Sequence, residues 1–284
     1  MTIEENCIQI DSAIIHYYVA GNGDRNVVLL HGGGTNSAML SWKYTIRPLS
    51  KKYKVYAPDW PSYGKSTACT GKYTNDMLID CLRLMMDAWQ LEKTSLVGLS
   101  MGGAAALGYT LLYPERVNNI VLASSYGLQH KAPYHLLSYV LLHMPYFSKL
   151  IWECMRRSRF IIRSCLQKII HDPALIPEEL VQEIYTVAQR SCIEKAFFSW
   201  LRNEVLLNGM RTCYEQRFHE LTTRTLLLHG DYDPLVPLLY AQKASALIKN
   251  AQLHVFHKCG HWLTRENPDE FNRVVTDFLD EANG

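Results

Sequence analysis

The stretch VGLSMGG, residues 97–103, places Ser100 between glycines at a point where a strand should give way to a helix. The run Thr94–Val97 is short and apolar, which is typical of a buried strand. The alanine- and leucine-rich residues that follow predict a helix that ends at Pro114. Such a turn would hold the serine hydroxyl at a helix N-terminus, where backbone N–H groups favour developing negative charge. From these residues alone, a nucleophile and a glycine-rich packing turn are both open interpretations.

Short apolar runs alternate with helical patterns along most of the chain. This alternation predicts an α/β fold, a mostly parallel sheet with helices on both faces. The predicted strands are an opening hairpin, Ile8–Ile10 with Ile14–Val19, followed by Asn26–Leu30, Lys54–Ala57, Thr94–Val97, Asn119–Ala123, Thr225–Leu228 and Gln252–Phe256. The predicted amphipathic helices include Asn75–Trp89, with Asn75 as its N-cap, and Asp269–Leu279.

One long segment interrupts this alternation. Between Gln129 and Phe218 the sequence has no clear strand and reads as helices broken at four prolines, Pro133, Pro145, Pro173 and Pro177. The segment is too long for an ordinary connection. We therefore expect a helical cap, residues 129–218, inserted between two parts of one core, residues 1–128 and 219–284.

The first half of the expected cap is both apolar and basic. Residues 139–170 carry six lysines and arginines against a single acid, Glu153. One interpretation is a set of lid helices with an apolar side over the pocket and a basic side in water. The other is a lid that makes peripheral contact with an anionic membrane to reach lipid substrates.

Composition limits the classes of function. The chain has 284 residues, a formal net charge of +2 and 48% hydrophobic residues, so it can bury a large core and shows no preference for nucleic acid. Its eight cysteines are scattered without a C-x-x-C pair, which suggests thiols in a reducing compartment and no metal site. The first ten residues lack a secretory pattern. We expect a cytoplasmic protein that acts on a small-molecule substrate and that can form a homo-oligomer.

A nucleophilic serine needs a base, and the base needs a carboxylate that orients it. On this architecture the acid should follow the first strand after the cap, where GDYDP contains Asp231 and Asp233. The base should follow the last strand, where His261 lies in a loop before the final helix. The nearby His254 and His257 are expected to be ordinary strand-face residues.

The negative oxygen formed during acyl transfer needs N–H donors. One candidate is the backbone N–H of Met101, directly after the serine. The other should come from the loop HGGGTNS after the third strand, where Gly33 is the first choice and Gly34 the second. A phosphate-binding loop is the competing interpretation, but neither a G-K-[ST] nor a G-x-G-x-x-G pattern is present there.

Five motifs together resemble the α/β-hydrolase fold family over nearly the whole chain. They are HGGG at 31–34, APDWPSYGKS at 57–66, GLSMGG at 98–103, HGDYDPLVP at 229–237 and KCGHW at 258–262. The resemblance implies a Ser100, Asp233, His261 triad, because Asp233 matches the acid position of the family motif. Ser62 replaces the first glycine of the family's D-x-P-G-x-G-x-S turn.

Within that family the chain is most similar to the meta-cleavage product hydrolases, which cut carbon–carbon bonds in vinylogous dienoic acids. The resemblance carries over Trp262, which follows the histidine, and Arg190, near the cap arginine that holds the substrate carboxylate. Two positions depart from the pattern: Leu99 replaces an asparagine before the nucleophile, and Asn36 lies at the wrong spacing after the HGGG loop.

These observations predict a serine hydrolase that needs no cofactor or metal. Carboxylic ester hydrolysis is the main expectation, because apolar Leu99 suits an ester better than a dienoate. The alternatives are a carbon–carbon hydrolase of dienoic acids, a cofactor-free perhydrolase with the same triad, and a ligand-binding protein with slow turnover. The predicted substrate-binding residues are Gly34, Leu99, Arg190 and Trp262.

Overall fold

The computed structural model describes residues 2–69, 71–144 and 146–281, so the predicted turn at Pro145 lies outside the described residues. The chain forms a mostly parallel sheet of eight strands in the order β1-β2-β4-β3-β5-β6-β9-β10, which confirms the predicted fold class. Only the β1–β2 and β2–β4 pairs are antiparallel. The strands are β1 Glu4–Ile10, β2 Ala13–Ala20, β3 Asn26–Leu30, β4 Lys54–Pro58, β5 Thr94–Leu99, β6 Val117–Ala123, β9 Arg224–Gly230 and β10 Ala251–Phe256.

Each strand predicted for the sheet exists, and several extend beyond the predicted ends. The hairpin begins earlier, because the exposed residues 4–7 pair with β2 although they lack an apolar pattern. Twelve α-helices are described: α1 Ala38–Trp42, α2 Ile46–Ser50, α3 Asn75–Ala88, α4 Met101–Leu112, α5 His135–His143, α6 Phe147–Arg157, α7 Arg159–Ile169, α8 Glu178–Ala188, α9 Ser191–Glu204, α10 Leu238–Leu247, α11 Leu263–Glu266 and α12 Pro268–Asp280.

Two hydrophobic cores lie on opposite faces of the sheet. Successive strand residues point to opposite faces, and Val27 and Val28 accordingly belong to different cores. Helices α3, α4 and α10 cover one face, and α1, α2 and α12 cover the other. Large side chains such as Trp42 and Phe271 are fully buried there. Because both faces are covered, loops that carry chemistry can extend only from the ends of the strands.

The segment between β6 and β9 is largely helical, as the sequence predicted, and its described residues form the helices α5 to α9. The prediction that it has no strand is wrong, because Val205–Leu206 (β7) and Gly209–Met210 (β8) form a short antiparallel pair. Strands of two residues are too short to produce a period in the sequence. Turns at Pro173 and Pro177 interrupt the helices as expected.

The N-cap of α3 was predicted one residue too late. The side chain of Thr74, not of Asn75, accepts the capping hydrogen bond from the Met77 N–H at 3.2 Å. Asn75 is buried, and its N–H donates to the carboxylate of Glu204 at 3.0 Å. Both residue types are favoured N-caps, so a contact from distant Glu204 decides which one is used.

Candidate active site

Ser100 lies on the sharp turn between β5 and α4, as predicted. Its backbone has a positive φ of 51°, which is rare for a residue with a side chain. The flanking glycines permit the turn, because a Cβ on Gly102 would lie 2.2 Å from the Leu30 carbonyl oxygen and one on Gly98 would lie 2.6 Å from the Gly102 carbonyl oxygen. The turn leaves the hydroxyl at the N-terminus of α4 with its side chain partly exposed.

A buried carboxylate orients His261. Nδ1 of His261 lies 2.8 Å from Oδ2 of Asp233. The other carboxylate oxygen accepts hydrogen bonds from the N–H groups of Leu235 at 2.9 Å and Val236 at 3.0 Å. Because an ionised carboxylate only accepts, Nδ1 carries the proton and Nε2 is left with a lone pair. This is the arrangement that a histidine base requires.

The structure separates the two candidate acids of the GDYDP stretch. Asp231 lies in the same loop but accepts from the Cys259 N–H and contacts Nδ1 of His257, both at 3.3 Å. The other nearby histidine, His254, is hydrogen-bonded to neither aspartate within the described residues, and its Nε2 lies 2.8 Å from Oε1 of Glu270. Only Asp233 of the two aspartates contacts His261, so the geometry agrees with the choice made from the family motif.

A second buried histidine, which no sequence pattern singles out, adjoins the pair. His229 donates from Nε2 to the Val236 carbonyl oxygen at 2.6 Å and lies 3.4 Å from Asp233 Oδ2. Burial lowers the pKa of His229, which keeps it neutral. Burial alone would raise the pKa of Asp233, but His261 and the neighbouring donors bring that pKa below its ordinary value. Asp233 is therefore ionised at neutral pH.

The HGGG loop passes directly beside the serine turn. A Cβ on Gly32 would lie 3.4 Å from Cβ of Ser100, and one on Gly33 would lie 3.3 Å from Sδ of Met101. The backbone N–H groups of Gly33 and Met101 have no hydrogen-bond partner among the described residues. Free N–H donors close to the nucleophile are what an oxyanion hole requires, and these two groups are the candidates.

His31 anchors this loop. The ring is fully buried, donates from Nδ1 to the Gly32 carbonyl oxygen at 2.7 Å and accepts from the Trp60 N–H at 3.0 Å. Burial lowers the pKa of His31 to about 4. The loop that holds Gly33 thus depends on a neutral histidine.

This low pKa predicts a loss of stability in mild acid. Because the folded-state pKa of His31 is about 4 and the unfolded value 6.5, the unfolded chain binds more protons between these pH values. The free energy of unfolding should therefore fall as pH drops from 7 to 4, by up to about 3 kcal/mol from His31 alone. Urea titrations of wild type and His31→Gln across this range should show a smaller fall in the variant. Equal falls would contradict the prediction, and His219→Gln, at an exposed histidine, is the matched control.

A cavity of about 710 Å³ opens above Ser100 and His261. Its walls come from the HGGG loop, the loops after β5, β9 and β10, and helices α5 to α9. Among its described lining residues there is no lysine, arginine, aspartate or glutamate. The aliphatic and aromatic part of the wall includes Leu99, Leu141, Phe147, Ile151, Met155, Ile162, Leu166, Ile184, Phe197, Trp200 and Trp262. The cavity is therefore suited to an uncharged, largely apolar ligand.

Three of the four predicted substrate-binding residues line this cavity, namely Gly34, Leu99 and Trp262. Arg190 is not among its described lining residues, so its role in substrate binding remains a prediction. Its Nη2 instead donates to the carbonyl oxygen of Ser66 at 3.3 Å. Arg190 directly precedes α9, and its side chain joins the helical segment to the loop after β4.

Three residues that line the cavity each carry a buried polar atom, and of these only Trp262 was predicted from the sequence. Gln129 Oε1, Trp200 Nε1 and Trp262 Nε1 are buried without a hydrogen-bond partner among the described residues. Each of these side chains is at most 5% exposed. A buried polar atom without a partner is costly in free energy, so these three atoms are an unusual feature of the cavity wall. Nothing in the local sequence distinguishes Gln129 or Trp200 from other residues of the segment.

The described residues hold no cluster of three or more histidine, cysteine or acidic side chains arranged for a metal ion. No described helix has both the length and the apolar character that crossing a bilayer requires.

The fold and the site together define a class of protein. Residues 27–274 match the family described as Alpha/beta hydrolase family, and the chain belongs to that family. Over 95% of this chain and 92% of the relative, it is 34% identical to 2-hydroxy-6-oxo-6-phenylhexa-2,4-dienoate hydrolase of Burkholderia cepacia. It is also 34% identical, over the same shares, to 2-hydroxy-6-oxononadienedioate/2-hydroxy-6-oxononatrienedioate hydrolase of Comamonas testosteroni.

A solved structure gives the same picture. The meta-cleavage product hydrolase CumD of Pseudomonas fluorescens, in a complex with acetates, has a TM-score of 0.83 and 31% identity, covering 98% of both chains. The resemblance inferred from the sequence motifs is therefore confirmed, and the chain is a hydrolase of this fold.

Proposed function

We propose that the chain is a serine hydrolase in which Ser100 attacks, His261 acts as base and Asp233 holds His261 in place. The observation that carries the proposal is the 2.8 Å contact between His261 Nδ1 and Asp233, at a cavity that Ser100 also lines. The positive φ of Ser100 supports it, because such strain is retained where function requires an exposed hydroxyl.

The proposed reaction has two stages. Nε2 of His261 takes the Ser100 proton as Oγ bonds to the carbonyl carbon, and the carbonyl oxygen becomes negative between the Gly33 and Met101 N–H groups. Each such donor contributes roughly 3–4 kcal/mol to the transition state. His261 then gives its proton to the leaving group as the bond to the carbonyl carbon breaks. Water, deprotonated by His261, releases the acyl group and restores Ser100.

We further propose that the substrate is an uncharged ester with an apolar acyl chain. The cavity supports this, because its described lining has no cationic side chain to pair with a carboxylate and apolar Leu99 lies next to the nucleophile. A charge buried without a partner costs on the order of several kcal/mol.

Carbon–carbon hydrolysis of a dienoic acid is the second candidate. The named relatives favour it, and the comparisons support it better than they support ester hydrolysis. Trp262 and the HGGG loop agree with it as well. Against it stands Arg190, whose contact with Ser66 leaves a dienoate carboxylate without the cation that the resemblance implied.

In the proposed function, the core carries the catalytic residues and the cap determines substrate selectivity. Residues 1–128 and 219–284 would form the core that carries Ser100, Asp233 and His261, and residues 129–218 would form a cap. Helices α5 to α9 supply most of the apolar cavity wall. Chain length and shape selectivity would therefore reside in the cap.

A pair of matched esters tests the substrate class. The nitrophenyl ester of hexanoic acid should be cleaved with a kcat/KM at least about 100-fold higher than the mono-nitrophenyl ester of adipic acid, because the adipate carboxylate would be buried unpaired. Initial rates of nitrophenol release measure the difference. A chromogenic meta-cleavage dienoate is assayed in parallel.

Either of two results would contradict the ester proposal. Equal rates for the two esters would mean that a carboxylate is accommodated in the cavity. Faster turnover of the dienoate than of either ester would establish the carbon–carbon hydrolase instead.

A further inference from the structure

The first half of the helical segment exposes an unusual amount of apolar surface. Of the nineteen large hydrophobic side chains that are exposed in the described parts of the chain, nine lie between residues 134 and 160. Tyr134 is 86% exposed, Tyr146 81% and Phe160 78%. We call the following residues the apolar surface: Tyr134, Leu136, Leu137, Val140, Met144, Tyr146, Leu150, Ile151 and Phe160. A patch of this kind on a protein marks a surface that another phase or molecule covers.

Cationic side chains share this surface. On α6 and its N-cap, Tyr146, Lys149, Leu150 and Arg157 are spaced three, four and seven residues apart and so occupy one face of the helix. All four are exposed, while Trp152 on the opposite face is buried. The face therefore presents rings and aliphatic groups beside ammonium and guanidinium groups.

The charge of this region is one-sided. Residues 129–171 contain seven lysines and arginines and one acid, Glu153, although the whole chain has a net charge of only +2. Glu153 is already paired with Arg156 at 2.8 Å and lies 3.6 Å from Arg157. The exposed Lys131, Lys149 and Lys168 form no ion pair within the described residues. The electrostatic complement of this surface is an anionic one.

The apolar surface is continuous with the cavity above Ser100. Tyr134 and Ile151 both belong to the exposed surface and line that cavity. A shallow groove formed by Tyr134, His135, Leu136, Leu137 and Val140 adjoins the same edge. If an apolar phase covered this surface, an apolar molecule could pass from it into the cavity at this edge without crossing water.

We propose that helices α5, α6 and α7 dock on the surface of an anionic phospholipid bilayer, with the cavity mouth facing the lipid. Apolar side chains with adjacent cations are what the headgroup–acyl boundary of such a bilayer binds. A nucleic acid would bind the cations but would leave the aliphatic side chains without an apolar environment. A lipid surface provides both, so lipid is the favoured occupant. Docking is a binding property and does not require that the proposed reaction be correct.

Co-sedimentation with sucrose-loaded vesicles tests the proposal. Both the wild type and Ser100→Ala should bind vesicles of 70% phosphatidylcholine and 30% phosphatidylglycerol at least tenfold more tightly than vesicles of phosphatidylcholine alone. Added salt should weaken this binding. Two variants should each lose at least tenfold in affinity: the triple variant Leu136→Ser, Leu150→Ser, Phe160→Ser, and the double variant Lys149→Glu, Arg157→Glu.

The matched control carries the same kinds of change elsewhere, Leu112→Ser, Leu247→Ser and Lys249→Glu, at exposed positions away from the helical segment. It should bind vesicles like the wild type. Three outcomes would overturn the proposal: no binding to anionic vesicles, unchanged binding by both surface variants, or a concentration-dependent dimer that the triple variant abolishes. The last would assign the surface to a second copy of the chain. Only vesicle binding is measured for Ser100→Ala, and this variant should bind although it is inactive. Failure of docking can therefore be distinguished from failure of the hydrolase proposal.

Discussion

Replacing Ser100 with alanine is expected to lower kcat by about 10⁴- to 10⁶-fold for whichever substrate the wild type cleaves. The change removes only Oγ, and without it no covalent acyl intermediate can form. The residual rate would come from the Gly33 and Met101 N–H groups and from substrate binding. Purified wild type and variant are compared by initial rates at saturating substrate.

A matched control lies on the neighbouring strand end. Ser124 directly follows β6, is buried and has a positive φ of 41°, and its hydroxyl has no hydrogen-bond partner among the described residues. It is not among the described lining residues of the cavity. Ser124→Ala should therefore keep kcat within about threefold of wild type. Retention of activity by Ser100→Ala, or equal losses in both variants, would contradict the assignment.

Replacing Asp233 with asparagine is the second large effect, a fall in kcat of about 10⁴-fold. The amide preserves size but can donate a hydrogen bond to His261 Nδ1, which would place the imidazole proton on Nε2. The base would then lack the lone pair that takes the Ser100 proton. The variant should remain folded, because the amide oxygen of the asparagine can still accept hydrogen bonds from the N–H groups of Leu235 and Val236.

Asp231→Asn is the control for this variant, since Asp231 lies two residues away in the same turn. Its contacts to Cys259 and His257 are long, at 3.3 Å, and concern only the loop. We expect a change in kcat of less than about fivefold. A large effect at Asp231 with a small one at Asp233 would reverse the assignment of the acid.

The sheet could be read from the sequence because each strand is a short apolar run bounded by turn residues. The same holds for the serine turn, where Gly98 and Gly102 are required by contacts under 3 Å that no Cβ could tolerate. The order of Ser100, Asp233 and His261 along the chain then followed from the architecture. Local signals were sufficient in these places, because local and tertiary requirements agree.

The side-chain direction of Arg190 could not be predicted from the sequence. Its place near a cap arginine came from the resemblance, but the direction of its side chain depends on how α8 and α9 pack against the core. In the structure it reaches the Ser66 carbonyl oxygen rather than the cavity. Helix periodicity predicts which face of a helix is buried, but it does not predict which residues that face contacts.

The roles of two buried polar residues, Glu204 and His229, were not predicted from the sequence either. Glu204 is fully buried and accepts from Thr212 nearby and from Asn75 and Tyr126, which lie 129 and 78 residues away in sequence. Likewise His229 is important only because β9 and the following loop place it 3.4 Å from Asp233. The role of Glu204 arises from contacts with distant residues and that of His229 from the course of a loop, and a single sequence carries no simple pattern for either.

Covalent labelling with a fluorophosphonate, followed by peptide mass spectrometry, reports whether Ser100 is an activated nucleophile. The reagent reacts only with a serine activated by a base, and it requires no knowledge of the substrate. The account predicts an adduct on Ser100 in the wild type and in Ser124→Ala, and none at residue 100 in Ser100→Ala. No adduct on the wild type, or an adduct on another serine with Ser100 unmodified, would contradict it and leave a binding protein on a hydrolase fold.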